Sequence, residues 1–172
     1  MEVRSIEAIV RALNDANVQY LIVGGLAVNA HGYERLTVDL DLVISLDREN
    51  VIRGLQALQA IDYHMSIPIT PEQFAEPALR EQWRKEKGMV VLKLWSDLHR
   101  RTPIDVFIYE PFDFSTEYAA ARWEPLLGPE KAPIIQLQAL LKMKREAGRP
   151  QDLADIADLE EIEKLRQDRA DD

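Results

Sequence analysis

The stretch Thr37-Val38-Asp39-Leu40-Asp41-Leu42-Val43-Ile44 constrains this chain more than any other. Its composition is that of a buried strand, and residues two apart on a strand share a face. Val38, Leu40 and Leu42 are therefore expected toward a core, with Asp39 and Asp41 on the other side. Two carboxylates this close repel, and at least one pKa rises unless a cation lies between them. Hard divalent ions prefer carboxylate oxygen and keep positions open for water and phosphate, so Mg²⁺ or Mn²⁺ would answer the repulsion. The competing reading is a polar outer face on a one-sided sheet, and for an isolated Asp-x-Asp that is the commoner case.

The surroundings shift the balance. Gly24-Gly25 follows an expected strand, Gln19 to Val23, and precedes a short expected helix, Leu26 to Gly32. There, backbone N–H groups can approach an anion with no Cβ in the way. A tight strand-to-helix turn would use the same residues. Neither the P-loop pattern nor the third glycine of a dinucleotide fingerprint is present. A third acid, Asp105, alternates with Ile104, Val106 and Ile108 in an expected strand from Pro103 to Tyr109, which forms a hairpin with Met89 to Trp95. If that strand lies beside the one carrying Asp39 and Asp41, three carboxylates converge, the usual arrangement for two-metal phosphoryl or nucleotidyl transfer.

The rest of the chain bounds the alternatives. With no cysteine there is no disulfide, thiolate metal site or cysteine nucleophile, and His31, His64 and His99 lack the spacing of a zinc enzyme. No segment reaches the roughly 20 apolar residues of a membrane span. The amphipathic start lacks the pattern of a signal peptide, so a soluble, cytoplasmic protein is expected. Net charge is −9, but nine acids against three bases in residues 151–172 account for −6 of it. The first 150 residues are thus only mildly acidic, and a basic patch of Arg80, Arg84, Lys85, Lys87, Arg100 and Arg101 could still dock a nucleic acid end. One domain over 1–172 is expected, with a core at about 18–110 and a helical part at about 134–169. Further expected elements are helices at 3–15 and from Asp47 to Ile61, a loop at 66–80 holding about one helical turn, a long proline-rich connection at 110–133, and helices at 134–147 and 152–169. Trp83, Trp95 and Trp123 are expected in the core or an interface, and His31 is expected to pack or cap.

Gly24-Gly25, thirteen intervening residues, Asp39-Leu40-Asp41-Leu42 and the later Asp105 resemble the signature of the DNA polymerase beta-like nucleotidyltransferase superfamily. The wider opening G-G-x-A-x-x-x-H-G-x-x-R-x-T-x-D-x-D and the ending KREAGRPQDLADIADL are more similar still to bacterial AbiEii-type nucleotidyltransferases, often toxins of toxin–antitoxin pairs. Gln151 departs from that pattern, where many relatives have Lys. The resemblance implies an α/β (α+β) nucleotidyltransferase fold, a small mixed sheet flanked by helices with C-terminal helices across it. It implies Mg²⁺ or Mn²⁺ on Asp39 and Asp41, with Asp105 sharing a second ion and acting as base. Gly24 and Gly25 would hold the β and γ phosphates of an NTP, and Lys144 would contact the triphosphate, with Asp155 orienting it. Arg35 and Thr37 would lie on the same side, Arg35 binding phosphate or making an ordinary surface pair. On the residues alone, Lys144 could equally be a solvated helix residue, and Asp152 a helix cap. The acceptor hydroxyl would belong to a tRNA 3′ end, a protein, or a small molecule such as an aminoglycoside or lincosamide. An antitoxin or homodimer partner, and a non-catalytic binding module on the same fold, are the other outcomes.

Overall fold

The computed structural model describes residues 1–170; Asp171 and Asp172, counted above in the acidic tail, lie outside the described residues. Helix α1 (Val3–Asp15) buries Ile6, Ile9, Val10 and Leu13, the stripe its period requires. Strand β1 (Tyr20–Val23) is buried along its whole length and runs directly into helix α2 (Gly24–Ala30). Strand β2 (Leu40–Ile44) leads to helix α3 (Arg48–Ala60), whose first turn is capped by the Asp47 side chain accepting from the Glu49 and Asn50 amides. There follow β3 (His64–Met65), α4 (Pro71–Ala75), α5 (Pro77–Lys87), β4 (Val91–Trp95), β5 (Ile104–Phe107), α6 (Phe114–Ala119), β6 (Arg122–Pro125), β7 (Lys131–Ile134), α7 (Leu137–Ala147) and α8 (Pro150–Ala170).

The strands form one seven-stranded mixed sheet in the order β3-β4-β5-β2-β1-β7-β6. The β2–β5 and β1–β7 pairs are parallel and the others antiparallel. Helices flank this sheet, and α7 and α8 close over the α2 end, so the expected mixed α/β layout holds. The hairpin of β4 and β5 is also as expected, with Lys93 opposite Asp105. No helix among the described residues is long and apolar enough to cross a membrane.

Several expectations fail for identifiable reasons. The strand expected from Thr37 begins only at Leu40, because Thr37 to Asp39 have no ladder partner before Leu40 N–H bonds to Pro103 O. Val38 is therefore 67% exposed and Leu36 97% exposed, not core. The glycine pair forms the first residues of α2, not a turn ahead of it. The 66–80 loop contains α4 and the start of α5. Each of these helices has Pro at its first position, where the missing N–H is not needed, and Thr70 and Gln73 complete a capping box on α4. The 110–133 connection folds into α6, β6 and most of β7, and Ile134 pairs with Ile22 instead of opening a helix. Helix α8 starts at Pro150, which places Asp152 within its first turn and not at the cap. Trp83 stacks on Phe74, but Trp95 and Trp123 are about half exposed and outside the core.

Because Leu42 is fully buried and Val38 is not, truncation should separate them sharply. Leu42→Ala is expected to cost about 2–5 kcal/mol in urea denaturation, and Val38→Ala less than about 0.5 kcal/mol. Comparable losses would mean that the strand begins at Thr37.

Candidate active site

The parallel pairing of β2 with β5 sets Leu40 beside Ile104, Asp41 beside Asp105, and Leu42 beside Val106. Alternation then does the sorting: the leucine, isoleucine and valine pairs fill the core, and the two acids emerge side by side on the opposite face. Asp39 lies two residues before Asp41, just ahead of the strand. The three acids of the sequence motif are thus brought to one end of two central strands. Asp105 is only 8% exposed.

Electrostatics follow from that placement. Burial pushes the Asp41 carboxyl up to about 6, with repulsion from Asp105 and then Asp39 adding to it, against the Gly25 N–H and the distant charge of Arg149. Burial also raises the Asp105 pKa, but there a cation opposes it: Lys93 Nζ lies 3.2 and 3.1 Å from the two carboxylate oxygens. That bond raises the Lys93 pKa in turn. Among the described residues, no three acidic or histidine side chains are gathered closely enough to ligate one ion as they stand.

The glycines are required by this packing. Gly24 has φ +63°, and a Cβ there would overlap the Asp41 carboxylate; a Cβ on Gly25 would overlap Thr37. The backbone N–H of Gly25 favours the charged form of Asp41.

The last two helices supply the opposite wall. Lys144 is buried and donates to Asp155 Oδ2 at 2.6 Å and to Asp152 Oδ1 at 3.3 Å. Asp152 accepts from the backbone N–H of Arg149 at 3.2 Å and from its Nε at 2.7 Å, so it serves the helix start from its first turn. Asp155, fully buried, also takes a bond from Gln151 Nε2 at 2.9 Å and from Arg35 Nη2 at 3.0 Å. Arg35 Nε lies 2.8 Å from Asp155 Oδ1 but off the line of its N–H, so that contact is coulombic. Burial alone would raise the Asp155 pKa; the bonds from Lys144, Gln151 and Arg35 outweigh it and hold the carboxyl below its ordinary range. Arg35 and Lys144 are accordingly partners in one internal network. His31 is buried and its Nε2 meets Ile135 O at 2.8 Å, a packing role.

Between the walls lies a cleft of about 500 Å³, lined by Gly24, Asp41, Asp105, Lys144, Arg149 and Asp152 on its polar side. Val90, Phe107, Tyr109, Pro111, Leu140 and Met143 form its apolar side. Of the expected basic patch, Lys87 ends α5 and the other residues each have a partner of their own. Arg80 is buried and donates to Phe74 O, Arg84 lies over the Tyr109 ring, and Lys85, Arg100 and Arg101 pair with Glu81, Asp97 and Glu2. Sequence reasoning missed Lys93, whose one signal was a lysine alternating with Leu92 and Leu94 in the hairpin strand.

The raised Asp41 pKa makes a signed prediction. The folded protein holds this proton more tightly than the unfolded chain, so the penalty is absent below about pH 4, grows as pH rises through 6, and is constant above. In chelator, Asp41→Asn should stabilise the protein at pH 7.5 by about 3 kcal/mol, from roughly two pKa units. At pH 4 it should be nearly neutral. Destabilisation at both values, read from urea midpoints, would remove the repulsion from the account.

No protein-family model matches the sequence, and no curated protein matches it either. Solved structures do. The fold is similar to that of the lincosamide antibiotic adenylyltransferase LnuA in its lincomycin-bound form, with a TM-score of 0.57 and 16% identity over 92% of this chain and 96% of that one. It is also similar to an antigenic nucleotidyltransferase-like protein from Paracoccidioides brasiliensis, with a TM-score of 0.54 and 19% identity over 95% of this chain and 76% of that one. The chain has the nucleotidyltransferase fold.

Proposed function

We propose that this protein transfers a nucleoside monophosphate from an NTP to an acceptor hydroxyl, using a divalent ion. The observation that carries the reading is the β2–β5 register, which sets Asp41 against Asp105 in the lining of the cleft, with Asp39 two residues ahead of Asp41. Asp39 and Asp41 fit Mg²⁺ or Mn²⁺ because both are carboxylates and because burial and repulsion leave Asp41 wanting a cation. Bound there, the ion would neutralise the triphosphate and make the α-phosphorus more electrophilic.

The chain's own groups account for the remaining steps. Asp105, its basicity raised by burial, accepts the proton of the attacking hydroxyl. The hydroxyl oxygen bonds to the α-phosphorus, the bond from that phosphorus to the bridging oxygen of the β-phosphate breaks, and pyrophosphate leaves with its electron pair. An ammonium has three N–H donors, and Lys144 gives two to Asp152 and Asp155. The third is available to a phosphate oxygen in the cleft. Gly24 leaves the room that the Asp41 carboxylate fills at the cleft wall, and Thr37 packs over Gly25.

For the acceptor, the cleft supports a small hydroxylated molecule over an RNA end. Much of its lining is apolar, and the nearby cations Lys93, Lys144 and Arg149 are each paired with a carboxylate. LnuA is a lincosamide adenylyltransferase, so lincosamides are the first acceptors to try, with aminoglycosides, tRNA and whole protein as the other arms. The AbiEii-like features at the two ends of the chain meet in space, Arg35 on Asp155, which supports reading them as one unit.

Calorimetry with Mg²⁺ and each NTP tests the core of this proposal, and transfer of labelled nucleotide to each acceptor class tests the rest. Asp39→Asn and Asp105→Asn should each reduce transfer at least a hundredfold, on the order expected for removing an ion ligand or a general base, with unchanged or raised melting temperature. Absence of any metal-dependent nucleotide binding would leave a binding module on this fold.

A further inference from the structure

We infer that the Lys93 ammonium occupies, on Asp105, the place of a second divalent ion, so that the site takes one ion with the nucleotide. This rests on the nucleotidyl-transfer reading above. Lys93 and Asp105 are directly opposed in the antiparallel β4–β5 ladder, and residues so paired project to the same face. Leu92 and Leu94, on either side of Lys93, are fully buried, so Lys93 can only project toward the acids. Its ammonium reaches both oxygens of Asp105, at 3.2 and 3.1 Å, and the charges of Asp39 and Asp41 hold it there as well.

Asp105 cannot turn away to meet an ion elsewhere, because it is buried on a central strand with its neighbours Ile104 and Val106 locked in the core. An incoming divalent ion would have to displace the ammonium from both oxygens and then sit against a positive charge rooted on the adjacent strand. Neither Asp39 nor Asp41 is in a direct ion pair among the described residues. Lys93 is therefore a positioning residue: it neutralises Asp105 while leaving that carboxylate's outer lone pairs free for a hydroxyl. The side chain of Lys93 is 63% exposed, so it can be replaced without opening the core.

The test counts bound Mn²⁺ by electron paramagnetic resonance on the full chain with a non-hydrolysable NTP analogue, beside melting curves. The wild type should bind one Mn²⁺ per chain. Lys93→Gln should bind two, the second showing dipolar Mn–Mn coupling and lost again in Lys93→Gln/Asp105→Asn. Lys93→Arg, which keeps the charge, should return the count to one. Two coupled ions in the wild type, or a single ion in Lys93→Gln with an unchanged melting curve, would overturn the inference and leave nucleotidyl transfer standing. A wild type that binds no Mn²⁺ with or without the analogue would overturn both.

Discussion

Two carboxylates held side by side in adjacent parallel strands are the constraint around which this structure is arranged. Asp41 and Asp105 cannot separate, because the residues flanking them, Leu40, Leu42, Ile104 and Val106, are the middle of the core. Every feature near them answers the resulting repulsion. The Gly25 amide favours the charged form of Asp41, Lys93 is set onto Asp105, and Arg149 contributes charge from the far wall. What remains uncompensated is concentrated on Asp41, which is where a cation would gain most.

A second constraint joins the two ends of the chain. Lys144, Asp152 and Asp155 are buried, and buried ions are tolerated only when their partners are complete. Asp155 is completed by Arg35, which belongs to the segment leading into β2. The last helices can therefore close over the sheet only when that segment is in place, and the segment in turn lays Thr37 across Gly25. Site geometry and the packing of α7 and α8 are thereby coupled through one side chain, a form of specificity that an apolar contact of the same area would not enforce.

How far the sequence could be read depends on the range of each cause. Alternation in β5 and the leucines of β2 is a local signal, and it correctly pointed Asp105 and Asp41 away from the core. Val38 misled because the same alternation continues past the point where hydrogen-bonding partners stop, and no residue marks that point. Helices α4 and α5 were hidden by prolines that interrupt a pattern when counted but sit harmlessly at first helical positions. The burial of Lys144 depends on Asp152 and Asp155 in the next helix and on Arg35 more than a hundred residues earlier, which no window of sequence displays. Lys93 looked like an ordinary outer-face lysine until strand register set it opposite an acid.

These two constraints together limit what can enter the cleft. A polyanionic acceptor needs cations that can leave their present partners, yet Lys144 is buried between Asp152 and Asp155, and Arg149 is paired with Asp152. Lys93 could swing out with less loss to itself, being mostly exposed, but it would leave Asp105 bare beside Asp41. In the proposed reaction a triphosphate would avoid this difficulty by bringing its own divalent ion to Asp39 and Asp41. An uncharged acceptor would be better matched to the apolar lining supplied by Val90, Phe107, Leu140 and Met143, where binding needs desolvation and shape but no rearrangement of charge.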